Sequence, residues 1–270
     1  MYMLLLVLLG AIVLFTTFMV KPKKRLHRKL VSLGLLLIVV GGSGVYENYQ
    51  NNGVKTGDDP KQVEKAKTTS TSNLANLTYS DQQEIAVNGN VPTFTKSELN
   101  VSNGPWQEFA DLDNLNRAIQ ADALLSKSLM PTQKREALYV NPTGWHNKRI
   151  KSGWLYNRSH LIGYQLSGQN NNPKNLMTGT RSLNSPEMLK HENDIAYYLK
   201  QNPNNYIRYR VKPIYRNNEL VARGVQMMAE SMTSDGQPDK AVSFNVYIFN
   251  VEQGVKINYS DGTSVVNNNY

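Results

Sequence analysis

Trp154-Leu-Tyr-Asn-Arg-Ser-His160-Leu-Ile-Gly163, followed by Asn175-Leu-Met-Thr-Gly-Thr-Arg-Ser-Leu-Asn184 and then Glu192, is the stretch from which the rest of the chain is read. On a strand, alternate side chains share a face, so Arg158 and His160 point together into one site. A neutral imidazole takes a proton from water near pH 7, and a guanidinium holds a phosphate through two parallel bonds. Pro186 suits a first helical turn, so Asn184 stands just before a helix start. Glu192 would then lie about 80° further around an ideal helix, on the same side as Asn184. An amide oxygen with several waters suits Mg²⁺, a hard cation that dehydrates reluctantly. Asparagine identity alone carries little weight, because 31 of the 270 residues are Asn. A helix-start role for Asn184 and a solvated helix face for Glu192 are the competing readings.

Three of the four histidines lie beyond residue 30. His146, in Pro142-Thr-Gly-Trp-His146, either lines a substrate groove or is a loop residue anchored by Trp145. His191 is expected to be exposed.

Outward from the motif, the two ends of the chain differ. Residues 1–20 hold no charged side chain and are long enough to cross a bilayer core. Six Lys or Arg follow within residues 21–29, and a second apolar run occupies 30–45. The positive-inside tendency puts the basic loop in the cytoplasm and the remainder outside the cell membrane. Gly41-Gly-Ser-Gly44 leaves cleavage and secretion open as the alternative. Residues 1–50 hold six Lys or Arg and one Glu, a net +5 of the total +9, so the exported part is only mildly basic. Charge therefore does not identify the partner. With no cysteine, the exported domain must be held by its core without disulfides.

Residues 46–73 are polar and read as a flexible linker, leaving 74–270 as the folded domain. Trp106 to Leu129 carries Phe109, Leu112, Leu115, Ile119 and Leu124 at helix-like intervals, and a helix is expected there, limited by Pro131. Short strands follow Gly153, and Glu192 to Lys200 is helical in pattern. The runs Tyr206–Tyr215, Val221–Ser231, Val242–Asn250 and Gly254–Tyr259 are punctuated by Asn217-Asn218, Asp235-Gly236 and Asp261-Gly262, which reads as an antiparallel meander. The class is α+β, a mainly antiparallel sheet flanked by helices.

Asn157-Arg-Ser-His160-Leu-Ile-Gly163, with Asn175, Arg181, Asn184, Met188-Leu and Glu192-Asn193, resembles the DNA/RNA non-specific endonuclease family, and within it the exported and membrane-anchored enzymes of Gram-positive bacteria, DNA-entry nucleases included. The resemblance implies a ββα-metal, or His-Me finger, site. His160 matches the catalytic histidine and Asn184 the magnesium-ligating asparagine, while Arg158, Asn175 and Glu192 match supporting phosphate-side and metal-water-side residues. It implies a single Mg²⁺, with Mn²⁺ as the substitute, and double- or single-stranded DNA and RNA as substrates. DNA-uptake machinery is an expected partner. The family motif is Asp-Arg-Gly-His, so Asn157 removes a charge and Ser159 adds a hydroxymethyl group. Arg181, Arg208 and Arg210 are candidates for phosphate contacts, with a solvated strand face as the alternative for the last two. Two other functions compete: a membrane-tethered DNA receptor with a decayed site, and a nuclease toxin.

Overall fold

The computed structural model describes residues 71–267. The apolar runs 1–20 and 30–45, the basic loop 21–29 and nearly all of the linker 46–73 lie outside them. No helix among the described residues is long and apolar enough to cross a membrane.

Twelve strands and two α-helices follow a short 3₁₀ turn at Thr71–Asn76. β1 is Glu84–Ala86, β2 Trp106–Phe109, β3 Ala121–Leu125, β4 Arg149–Ile150, β5 Gly153–Trp154, β6 Tyr156–His160, β7 Leu176–Thr180, β8 Tyr206–Ile214, β9 Gly224–Met232, β10 Pro238–Phe249, β11 Val255–Ile257 and β12 Ser264–Val266. Helix α1 is Tyr164–Ser167 and α2 is Leu189–Gln201. β1, β10, β9, β8, β3 and β2 form, in that order, a six-stranded sheet in which every pairing is antiparallel.

Of the four runs expected to form a meander, the fourth, Gly254–Tyr259, gives β11, which pairs with β12 in a separate two-stranded sheet. The other three form the meander β8–β9–β10. Its sharpest turn is at Asp235-Gly236, where Gly236 adopts φ 77°, a conformation that costs glycine nothing. The faces of this sheet differ. Ile207, Tyr209 and Val211 of β8, with Val225, Met227 and Ala229 of β9, belong to the main apolar core. Arg208, Arg210 and Lys212 alternate with them and so occupy the opposite face. On the apolar face sit β7 and α2, through Met177, Ile195 and Leu199, with Leu161 just after β6 and Leu183 just after β7. The helix buries Glu192, Ile195, Ala196 and Leu199, the i, i+3, i+4, i+7 stripe of an amphipathic helix. Each fully buried aliphatic side chain contributes about 1.5–3 kcal/mol to this docking.

The helix expected over Trp106 to Leu129 is absent. Those residues form the β2–β3 hairpin, with Trp106 opposite Leu124 and Phe109 opposite Ala121. The connection is a turn in which Asp113 Oδ1 accepts from the backbone N–H groups of Leu115 and Arg117, both at 3.0 Å. Asn116 there takes φ 59°. Leu112 and Leu115 belong to the connection, so their spacing relative to Phe109 is not helical periodicity.

Candidate active site

Strands β6 and β7 pair in register, with Arg158 opposite Thr178 and His160 opposite Leu176. With α2 they make a strand–strand–helix unit around a cavity of about 1170 Å³, lined in part by His160, Arg158, His146, Asn184, Glu192 and Arg135. The cavity is larger than the ~300–1000 Å³ of a small-molecule pocket.

His160 is buried, and its Nε2 lies 2.8 Å from the carbonyl oxygen of Asn170. Only a protonated nitrogen can bond a carbonyl, so Nε2–H donates and Nδ1 keeps the lone pair. Burial holds the imidazole below its ordinary pKa. The Asn170 carbonyl opposes that shift and the charge of Arg135 adds to it. The ring is therefore a neutral base at pH 7.

Arg158 shares the face of His160, as strand alternation requires. Its Nε donates to the Val140 carbonyl at 2.8 Å and its Nη2 to Asn141 Oδ1 at 2.6 Å, while the guanidinium lies 4.6 Å from the Trp145 ring centroid. These bonds fix the segment before β4 onto β6.

Glu192 is buried on α2, facing Gly163. A Cβ on Gly163 would stand 2.6 Å from Cδ and 2.7 Å from Oε1 of the carboxylate, so only glycine leaves room. Desolvation raises the Glu192 carboxyl to about 7, against the opposing pull of the Gly163 N–H, the Gln165 amide and the Arg135 charge. Asn184 also lines the cavity, but Ser185 is extended at φ −152°, ψ 118° and separates it from α2. The ideal-helix argument linking Asn184 to Glu192 therefore does not apply. The two side chains border one cavity because the chain kinks between them.

Asn175 does not line this cavity. It is fully buried, accepting from the Ile162 N–H at 2.9 Å and donating to the Ile162 carbonyl at 3.0 Å. It thus clamps the turn that follows His160. His146 borders the cavity and is anchored through Nδ1 to the Asp261 carbonyl at 2.8 Å. Ser159 points away from His160, its hydroxyl buried against Gly179. Gly179, opposite Asn157 and diagonal to Ser159, makes room for the added hydroxymethyl group.

Arg181 is exposed outside the cavity, against Gly153. Arg208 and Arg210 are not brought to the site at all. They lie on the other face of the sheet, Arg208 buried and ion-paired with Asp122, Arg210 with Asp122 at 2.7 Å and Glu98 at 2.6 Å. The strand-face alternative describes Arg210, which is partly exposed there, while Arg208 is buried, and each is paired with a carboxylate away from the His160 cavity. His191 is not exposed either. It bonds Glu84 at 2.7 Å and stacks on Phe244 at 4.4 Å.

Sequence reasoning missed Arg135, an exposed cation of the cavity in a stretch with no periodic signal, and the Asn170 carbonyl that sets the histidine tautomer. It also gave Gly163 no role, although the motif contains it.

No cluster of three or more His, Cys, Asp or Glu capable of holding a metal exists among the described residues. Oxygen donors bordering the cavity include the Asn184 amide and the Glu192 carboxylate, the latter in a cradle that a Cβ on Gly163 would fill. Few hard oxygen donors with space for water fit a magnesium-type cation better than the nitrogen and sulfur sets of structural zinc.

The pattern of the DNA/RNA non-specific endonuclease family matches residues 99–233. A deoxyribonuclease from Streptococcus dysgalactiae subsp. equisimilis is 32% identical over 174 residues, covering 62% of this chain and 50% of the relative. The chain thus spans about half the length of that curated relative. Among solved structures, NucA from Streptococcus agalactiae with magnesium bound is similar at a TM-score of 0.58 and 25% identity, over 67% of this chain and 87% of NucA. The Sda1 nuclease with bound zinc is similar at 0.50 and 25% identity, over 59% and 80%.

Proposed function

We propose, starting from the fact that the chain belongs to the DNA/RNA non-specific endonuclease family, that it hydrolyses phosphodiester bonds of DNA and RNA with a single Mg²⁺ and little regard to base sequence. The observation that carries this reading is the His160 ring, buried, neutral and with Nε2 committed to the Asn170 carbonyl. That leaves Nδ1 to take the proton from a water attacking phosphorus in line. Arg135 and Arg158 put positive charge on the cavity where the phosphate would lie, Arg158 braced by Val140 and Asn141. Asn184 would hold the cation, and Glu192 would orient its waters. When bound, the cation supplies Lewis-acid stabilisation of the charge on the phosphate and the leaving oxygen. The 3′ oxygen leaves, so the products carry 5′-phosphates. Mn²⁺ is the expected substitute.

Residues 1–45 support a placement at the outer face of a cell membrane, where such an enzyme serves DNA uptake or breakdown of extracellular nucleic acid. Asn157 in place of the family aspartate favours a second reading, a DNA receptor that binds without cutting.

Plasmid DNA and RNA incubated with the full chain, in Mg²⁺ or in EDTA, separate the two. Metal-dependent breakdown is expected, lowered by about 10³-fold in His160→Ala. Binding without breakdown by the unaltered chain would favour the receptor. Equal rates for the unaltered chain and His160→Ala would remove the base assignment.

A further inference from the structure

Among the exposed large apolar side chains of the described residues, Trp154 and Leu189 border the catalytic cavity, and Trp154 leaves 47% of its surface open. It stands at the end of the β4–β5 hairpin, directly opposite Arg149. The Arg149 guanidinium lies 4.6 Å from the centroid of its ring. One residue on, Leu155 is fully buried and leads into β6, so the tryptophan is held at a fixed distance along the chain from Arg158 and His160. Gly153, at φ 124°, lets the Arg181 guanidinium close against the hairpin, with Nη1 3.1 Å from where a Cβ would be. Neither Arg149 nor Arg181 has a carboxylate partner within 4.0 Å among the described residues.

An aromatic ring left open beside a polar cavity, with two unpaired cations at its hairpin, has the composition of a single-strand platform. Successive bases stack on such rings while the cations follow the backbone, and the contact tolerates any base because each has a π-face. A base inside a duplex is stacked and paired and cannot lay its face on Trp154.

We propose that Trp154, backed by Arg149 and with Arg181 against the same hairpin, receives an unpaired base of the strand held in the cavity, so that the enzyme favours single-stranded or locally opened nucleic acid. The proposal rests on the nuclease reading of the His160 cavity.

The test compares the full chain carrying His160→Ala, which binds without cutting, with the same chain also carrying Trp154→Ala or Trp154→Phe. The probes are a fluorescein-labelled DNA 12-mer and its blunt duplex at one salt concentration. Trp154→Ala is expected to weaken single-strand binding about tenfold and duplex binding less than about threefold, while Trp154→Phe retains most of the difference. Single strands should quench tryptophan emission in His160→Ala and much less with Trp154→Phe. In chains with His160 intact, the single-strand to duplex ratio of initial cleavage rates should fall about tenfold with Trp154→Ala. Equal losses on both substrates, or none, would overturn the platform. Absence of metal-dependent cleavage by the unaltered chain would instead overturn the nuclease reading, and the binding comparison would then decide the platform alone.

Discussion

Trp145 and Trp106 each carry an arginine over the ring, and the two pairs belong to opposite sides of the molecule. Arg158 lies 4.6 Å from the Trp145 centroid in the cavity that holds His160, bonded to neutral acceptors only. Arg208 lies 4.9 Å from Trp106 and 4.8 Å from Phe94, in a second cavity of about 450 Å³ on the far face of the sheet. There Asp122 and Glu98 neutralise it together with Arg210. What separates a binding surface from a structural one is therefore whether a cation's charge is left over, not whether a cation is present. A phosphate entering the first cavity meets uncompensated charge, whereas in the second it would have to displace carboxylates.

The largest effect expected from this contrast is on turnover. Arg135→Ala removes a cation of the catalytic cavity and should lower kcat/KM for DNA by about 10²–10³-fold. Arg210→Ala should change it by less than about threefold, because its charge is already spent on Asp122 and Glu98. Equal losses in the two variants would dissolve the distinction.

Next in size is a stability effect confined to the far side. Asp122→Ala leaves Arg208 buried beside a single remaining carboxylate, Glu98 at 3.7 Å. Removing one partner of a buried pair costs about 3–5 kcal/mol when nothing compensates. With Glu98 still present, about 2 kcal/mol is expected, read as a lowered denaturation midpoint with kcat unchanged. A fall in kcat at full stability would place Arg208 in the catalytic machinery after all.

A smaller change tests the near side. Gly163→Ala puts a methyl group into the space of the Glu192 carboxylate, and a displaced outer residue of this kind typically costs about tenfold or more in metal affinity or activity. The expected result is about tenfold lower activity, partly recovered at high Mg²⁺, with the melting temperature little altered.

The same contrast shows what could be read before the fold was known. The β8–β10 meander and α2 follow from alternation and helical spacing, since each buries one face on the common core. His160, Asn184 and Glu192 do meet in one cavity, although a kink at Ser185 brings them there and not the straight helix the spacing suggests. The β2–β3 hairpin was hidden because its turn is built from Asp113 and Asn116, in a chain where asparagine is too common to mark turns. For Arg208 and Arg210 the sequence favoured the strand-face alternative over a place at the site. They alternate with Ile207, Tyr209 and Val211, which are core residues, so strand parity already excluded them from the apolar face carrying the site. Arg135 and the Asn170 carbonyl carry no such signal, because their positions depend on how irregular segments cross β6.

The smallest prediction has no effect at neutral pH and separates the two sides by titration. His160 has its pKa held below 6.5 by burial, so it is neutral at pH 7 and its base function is lost only as pH falls through that depressed value. In Glu192→Gln, which removes the neighbouring carboxyl raised to about 7, the log of kcat/KM should then decline with unit slope, with its midpoint below pH 6.5. A midpoint above that value would mean the imidazole is stabilised as a cation, contrary to its burial. Because the unfolded chain binds the His160 proton first, this group's contribution to stability is present above pH 6.5 and is lost as pH falls toward the folded value. On the far side, Arg210 and the Thr95 groups outweigh burial and hold the Glu98 carboxyl below its usual 4.5. Its contribution is present above pH 4.5 and is lost only as pH falls through that lowered value. Between pH 6.5 and 5 activity should therefore drop while the Arg210–Glu98 pair stays ionised. Equal acid sensitivity of activity in Arg210→Ala and in the unaltered protein would show that the second cavity plays no part in the decline.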